Sequence, residues 1–247
     1  MSLNIIIVGA TSAIAQAVAR RYASEQASFF LVARDEAKME LVARDLRARG
    51  AARVQTYCMD ATNYASLETM CAAAWQAIPP VDVALVAHGT LPDQPRTESD
   101  WEYAMKEFRV NGESAIACLG ALANRFESQG RGVLAVIGSV AGDRGRGSNY
   151  LYGAAKAAVD TYASGLRARL YKVGVHVLTI KPGFVATPMT AGLNLPDKLT
   201  AQPDRVAADI TRAIARRKDV LYTPRFWRLI MMVIRLLPGA ILKRSSL

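Results

Sequence analysis

The sequence predicts a single-domain α/β protein, a doubly wound parallel sheet of about seven strands with helices on both faces. Three observations carry that prediction. Short apolar runs alternate with longer, more polar stretches of helical character along most of the 247 residues. The apolar runs are near-continuous in isoleucine, valine and leucine, the pattern of strands buried on both faces. Gly9, Asp60, Gly89, Ser139 and Pro182 follow successive runs, so right-handed crossovers bring all five to one edge of the sheet.

In order, residues 3–8 read as the first buried strand, followed by Gly9-Ala10-Thr11-Ser12 and a helix over 13–23. Strand, glycine turn and helix is a Rossmann-type dinucleotide-binding arrangement, in which free N–H groups at the helix start hold a pyrophosphate. A second strand spans 28–33 and a charged helix 36–49. A third strand covers 53–59 and ends at Asp60, with a helix over 65–77. Pro79-Pro80 precedes a fourth strand at 81–87. Helices are expected over 99–109 and 112–128, a fifth strand over 132–138, a long helix over 151–171 and a sixth strand over 175–180. A short strand at 220–223 closes this domain, residues 1–224, and 225–247 reads as a hydrophobic and basic helix or tail.

Composition narrows the function classes. Half of the residues are hydrophobic (51%) and the net charge is +10, which calls for an anionic partner such as a phosphorylated cofactor, an anionic substrate or a membrane surface. No recognition motif for nucleic acid is present. Cys58, Cys71 and Cys118 lack metal-ligand spacing and read as free thiols in a reducing compartment, and no metal site is expected. The N-terminus enters an apolar strand without a secretory pattern, which leads to the expectation of a cytoplasmic protein.

The chemistry points to Tyr152 and Lys156. Spacing of four on a helix places both on one face, where an ammonium favours the phenolate and lowers the phenol's pKa. Such a pair moves protons on and off an oxygen near neutral pH. Ser139, at the end of the fifth strand, stands where it can hydrogen-bond a carbonyl oxygen that Tyr152 protonates.

Gly9, Asp60, Asn111, Ser139, the Tyr152–Lys156 pair and Pro182-Gly183 with Thr187 occur in an order and spacing that resembles the short-chain dehydrogenases/reductases over nearly the whole chain. The loop RGRGSNYLYGAAK also resembles that of reductases acting on polyprenyl-phosphate-linked pentoses. The resemblance implies a carbonyl/secondary-alcohol oxidoreductase that binds a small-molecule substrate and forms a homodimer or homotetramer. It makes Tyr152 the general acid or base, Lys156 its pKa-lowering partner and a ribose ligand, and Ser139 the carbonyl polariser. Asn111 would hold a water that supplies protons through Lys156. Gly9, Thr11, Ser12, Ala13, Ile14, Asp60, Ala61, Ala87, Gly89, Pro182 and Gly183 would line the cofactor, with Val185 and Thr187 at the carboxamide. Read singly, Asn111 could be a helix cap, and Ser139 and Asp60 ordinary turn residues.

Three departures qualify the resemblance. Ala13 and Ala15 stand where the family usually has glycine, one methyl more at each site. The asparagines after the fourth strand are replaced by Ala87-His88, and His88 reads as structural. The end of the second strand reads Ala33-Arg34-Asp35, with no carboxylate at the expected position and an arginine next to it, which predicts NADP(H) over NAD(H); a shift of one residue would bring Asp35 into play. Arg144 and Arg146, between Ser139 and Tyr152, are expected to meet an anionic group on a lipid-like or phosphorylated substrate, or else to be solvated.

Residues 225–237 (RFWRLIMMVIRLL) place Arg225, Arg228 and Arg235 in a narrow arc of a helix about 20 Å long, too short to span a hydrocarbon core of about 30 Å. An interfacial helix on a membrane, burial against a subunit or the domain, and a lid at the substrate entrance are the readings left open. A second function class, a non-catalytic dinucleotide sensor or membrane-associated scaffold, is favoured only by the altered glycine turn.

Overall fold

A computed structural model of the chain describes residues 2–244. The strands and helices are β1 (Asn4–Val8), α1 (Ala13–Ala23), β2 (Ser28–Ala33), α2 (Glu36–Ala48), β3 (Arg53–Cys58), α3 (Leu67–Ala77), β4 (Val83–Val86), α4 (Gln94–Ser99), α5 (Trp101–Phe108), α6 (Ser114–Gln129), β5 (Gly132–Ile137), α7 (Tyr150–Tyr171), β6 (Val175–Pro182), β7 (Phe184–Val185), β8 (Thr200–Ala201), α8 (Pro203–Ala215), β9 (Val220–Thr223), α9 (Trp227–Leu236) and α10 (Gly239–Leu242).

Seven strands form one sheet in the order β3-β2-β1-β4-β5-β6-β9, with every neighbouring pair parallel. The order reverses between β1 and β4, which opens a crevice outside their carboxyl ends. Both faces of the sheet are covered. Ile5, Ile7, Phe29 and Leu31 pack with α1, α2 and α8 on one face. Ile6, Val8, Phe30 and Val32 pack with α3, α6 and α7 on the other. Because each of these side chains stabilises by about 1.5–3 kcal/mol when buried, a one-residue slip in either strand would cost more than a small domain can spare.

Three local features depart from the sequence expectation. The two helices expected over 99–109 and 112–128 join through a π-helical turn, Arg109–Glu113, that carries Asn111 in its middle. Asn111 is therefore no helix cap; it lies inside a continuous helix on the kind of irregularity that re-aims a side chain. Strand β6 runs on to Pro182, which carries Lys181 into the sheet. Helix α9 starts at Trp227, so Arg225 stands in the turn before it and only Arg228 and Arg235 share a helical flank.

The tail folds back onto the domain at a glycine. A Cβ on Gly183 would lie 1.9 Å from Trp227 Nε1, so only glycine lets the indole seat there. Trp227 meets Phe184 edge to face, with centroids 5.1 Å apart at 88°, and packs with Met231, Ile234 and Val140. Among the described residues, no helix is long and apolar enough to cross a membrane.

Candidate active site

The crevice at the reversal of strand order is a cavity of about 440 Å³, within the ordinary range for a small-molecule site. Its lining includes Gly9, Thr11, Ser12, Ala13, Ile14, Arg34, Asp60, Ala61, Ala87, Gly89, Ser139, Tyr152, Lys156, Pro182, Gly183, Val185 and Thr187. Residues this far apart in the chain meet here because each follows a parallel strand or opens the helix after it.

At one end, Gly9 has φ +86°, and a Cβ on it would lie 2.4 Å from the His88 backbone nitrogen. Glycine is required on both counts. The chain then turns into α1, whose first turn carries no acidic residue and whose leading N–H groups have no partner within the helix. Ala13 borders the cavity, while Ala15 is fully buried in the core, so the second departure from glycine is absorbed by packing. Arg34 also borders the cavity. Asp35 is engaged elsewhere: it N-caps α2, accepting from the Lys38 amide at 3.0 Å, and pairs with the Lys38 ammonium at 3.1 Å. Asp60 accepts from the Thr62 amide at 2.8 Å and hydroxyl at 2.7 Å, and these bonds hold its carboxyl below the usual carboxylate range.

At the other end, Ser139 caps a short 3₁₀ turn, its Oγ accepting from the Ala141 amide at 3.1 Å. Its own proton can go to the Tyr152 oxygen or to a ligand in the cavity. Tyr152 and Lys156 lie one turn apart on α7, with Lys156 Nζ 5.6 Å from the Tyr152 ring centroid. Lys156 is 3% exposed and donates to the Ile137 carbonyl at 3.2 Å. Burial pushes Tyr152 up to about 12, against a smaller lowering by the Ser139 hydrogen bond. Burial likewise brings Lys156 down to about 8, with Asp160 acting in the opposite sense. The spacing leads one to expect a phenol lowered by Lys156; in the fold, burial sets the direction of the shift, and the phenol is protonated at neutral pH.

Two sequence candidates lie off the cavity wall. Asn111 sits behind it, its Oδ1 accepting from the Thr90 amide at 2.9 Å and its Nδ2 donating to the Thr90 hydroxyl at 2.9 Å and the Glu107 carbonyl at 3.0 Å. It braces the turn after β4. Arg144 faces away from the cavity, donating to the carbonyls of Arg235 at 3.2 Å and Leu237 at 3.4 Å, so it caps the C-terminus of α9. Arg146 does border the cavity, and its buried Nε and the buried Asn149 Oδ1 nearby have no hydrogen-bond partner.

His88 is structural in its contacts. Its Nε2 lies 2.8 Å from Ser114 Oγ, which donates to the Val110 carbonyl at 2.7 Å, and burial brings the imidazole down to about 4. Sequence reasoning missed Thr90, Asn149, and the wall formed by Phe184, Met189 and Leu193; only the apolar character of the last three hinted at a substrate side.

The family profile for short chain dehydrogenase matches residues 3–198. The chain is a short-chain dehydrogenase. As a member of that family it is an oxidoreductase acting on CH–OH groups with a nicotinamide dinucleotide. An uncharacterized oxidoreductase of Mycobacterium tuberculosis is 38% identical over 240 residues, 97% of this chain and 96% of the relative. One from Streptomyces coelicolor is 34% identical over 246 residues, 98% and 95% respectively. Among solved structures, levodione reductase superposes with a TM-score of 0.81 at 22% identity, covering 90% of this chain and 96% of that one. A single-residue variant of the actinorhodin polyketide ketoreductase with NADPH gives 0.80 at 22% identity, covering 92% and 97%. At these identities the structural likeness concerns the short-chain dehydrogenase fold.

Proposed function

We propose that this short-chain dehydrogenase is an NADP(H)-dependent oxidoreductase that interconverts a carbonyl and a secondary alcohol, with Tyr152 as general acid in reduction and general base in oxidation. The observation that carries the proposal is the convergence of Ser139, Tyr152 and Lys156 on one end of a cavity whose other end is the Gly9–α1 cradle. A dinucleotide fits that cradle: the missing Cβ at Gly9, the leading N–H groups of α1 and the absence of acidic residues in its first turn all favour a pyrophosphate.

When bound, the nicotinamide supplies or accepts the hydride. Ser139 donates a hydrogen bond to the carbonyl oxygen and keeps its proton. Tyr152, a neutral phenol at pH 7, gives that oxygen its proton in reduction and takes it back in oxidation. Lys156 would stabilise the phenolate left behind and hold the ribose hydroxyls, and Asn111, which braces the turn at Gly89 and Thr90, would stand beside it on the route of proton supply. Thr187 and Val185 would hold the carboxamide and Asp60 the adenine.

Arg34 at the cavity edge, with Asp35 turned to its helix cap, supports a 2′-phosphate and hence NADP(H). The NADPH carried by the ketoreductase among the structural neighbours agrees with it. Arg146 and Asn149, a buried donor and a buried acceptor without partners, support a polar or anionic substrate end beside Tyr152. NADPH oxidation by a panel of ketones with and without phosphate groups tests the function; turnover with none of them, despite NADPH binding, would favour a non-catalytic sensor.

The surroundings of the site belong to the same reading, in a cytoplasmic protein. Helix α9 buries Trp227, Met231 and Ile234 and leaves Leu229, Met232, Val233 and Leu236 exposed on the opposite side. Arg228 and Arg235 flank that apolar face on one side, Arg225 precedes the helix, Lys243 and Arg244 follow α10, and residues 220–247 contain no carboxylate side chain. Two copies of this face would repel each other, so we assign it to peripheral contact with an anionic membrane surface. Assembly as a homodimer or homotetramer is assigned instead to α5, where Trp101 and Met105 stand exposed.

A further inference from the structure

Beneath the catalytic end of the cavity lies a buried ionic cluster. Lys181 Nζ, on β6, is 2.5 Å from Asp143 Oδ1 and 2.8 Å from Asp160 Oδ2. The Tyr222 hydroxyl, on β9, donates to Asp143 Oδ2 at 2.7 Å. The Asp143 and Asp160 side chains are only 2% and 12% exposed. Asp143 ends the 3₁₀ turn that Ser139 begins, and Asp160 lies one turn beyond Lys156 on α7. Asp160 reaches the backbone at the foot of Ser139: a Cβ on Gly138 would lie 2.5 Å from its Oδ1, and that oxygen has no hydrogen-bond partner.

One lysine between two buried carboxylates leaves a surplus negative charge, which is costly in a low-dielectric interior. Lys156 is the buried cation next along the same helix face. The half-buried Arg146 and Arg167 act on Asp143 and Asp160 from the rim, while among the buried side chains Asp143, Asp160, Lys181 and Lys156 sum to zero. We propose that Asp160 is a positioning residue, the buried counter-charge that keeps Lys156 cationic, held in place by Lys181 and Asp143. This rests on the reading of Lys156 as partner of Tyr152.

Other groups around Lys156 do not provide that charge. The Ile137 carbonyl from β5 is neutral. His88, at the end of β4, is neutral above about pH 4, brought down by burial and by Lys156 itself, with Asp60 opposing. Tyr152 on α7 is a neutral phenol, and Asn111 is uncharged. Asp160 is the carboxylate that acts on Lys156. Burial raises Asp160 itself, Lys181 pulls it back toward the ionised form, Asp143 opposes that, and Lys156 adds a smaller pull in the same direction as Lys181. On the cavity side, burial lowers Arg146, and Asp143 opposes that lowering.

The test is competitive trace acetylation of Lys156 across pH, read by mass spectrometry on the folded, cofactor-free protein, beside the pH profile of kcat/KM. In Asp160→Asn the midpoint of Lys156 reactivity should fall by about one unit or more, the size expected for losing an adjacent opposite charge, with the alkaline limb of kcat/KM moving the same way. Asp160→Glu should restore both. Asp143→Asn, which leaves Lys181 wholly to Asp160, should lower the midpoint by less, and it carries the test if Asp160→Asn does not fold. An unmoved midpoint in the folded variants overturns the proposal, even where activity is lost uniformly. Because labelling needs no turnover, failure to find a carbonyl substrate remains distinguishable from failure of the charge assignment.

Discussion

Lys156 Nζ stands 5.6 Å from the Tyr152 ring centroid, one turn along α7, at the enclosed wall of one cavity. Enclosure drives the two groups apart in acidity: the phenol rises to about 12 while the ammonium falls to about 8. Perturbation of this kind, by burial at a cleft, marks functional groups rather than surface pairs. At neutral pH the phenol keeps its proton and the lysine its charge, the state needed to protonate a substrate oxygen.

Arg34 should decide cofactor choice. Arg34→Ala is expected to raise the Kd for NADPH about tenfold or more, the loss of a charge-assisted hydrogen bond of about 1.5–3 kcal/mol, and to leave NADH binding nearly unchanged. Isothermal titration with each dinucleotide measures this. Equal losses for both would remove the 2′-phosphate assignment.

The two loop arginines should behave differently. Arg146→Ala is expected to raise KM for an anionic carbonyl substrate about tenfold or more, by the same loss of a charged partner. Arg144→Ala should leave KM alone and instead loosen the end of α9, seen as faster proteolysis of the tail and a slightly lower Tm. Matching KM effects would show that both reach the substrate.

His88 should make the protein acid-sensitive. Its imidazole is at about 4 in the fold against 6.5 for the free group. Between those values the unfolded chain binds the extra proton, so stability falls as pH drops from about 6.5 toward 4, by about 3 kcal/mol in all. Urea midpoints across that range should show a shallower slope in His88→Asn. Identical slopes in both proteins would mean the imidazole is not buried neutral.

The tail should bind anionic vesicles. The wild-type chain is expected to co-float with phosphatidylglycerol vesicles at low salt and to release as salt screens the arginines. Leu229→Glu with Leu236→Glu should abolish flotation and spare the fold, since both side chains are exposed (62% and 77%). Flotation that survives the double variant would place the contact elsewhere.

The contrast between Arg144 and Tyr152 shows how far the sequence could be read. The meeting of Tyr152, Lys156, Ser139 and Gly9 at one cavity was legible because each position is set locally, by a helical spacing of four or by the end of an apolar strand. Asp35 was ambiguous until its cap on α2 was seen, since one residue of strand-end error reverses its meaning. Arg144 looked like a solvated or substrate-facing loop residue, but its partners are the carbonyls of Arg235 and Leu237, 91 and 93 positions away. The Asp143–Lys181–Asp160 cluster was invisible for the same reason. Asp160 and Lys181 read as ordinary charges on a helix and a strand until tertiary packing buried them together. Asn111 was placed in the right region, but its π-helical turn has no periodicity by which a sequence could announce it.

The most direct measurement is single-turnover reduction of a reactive ketone by NADPH with wild type and Tyr152→Phe, beside the Kd for NADPH. Removal of the general acid should slow the chemical step by about 10²–10⁴-fold and leave the Kd for NADPH unchanged. A Tyr152→Phe enzyme that reduces the ketone at the wild-type rate would contradict the assignment of Tyr152 as the proton-transfer group.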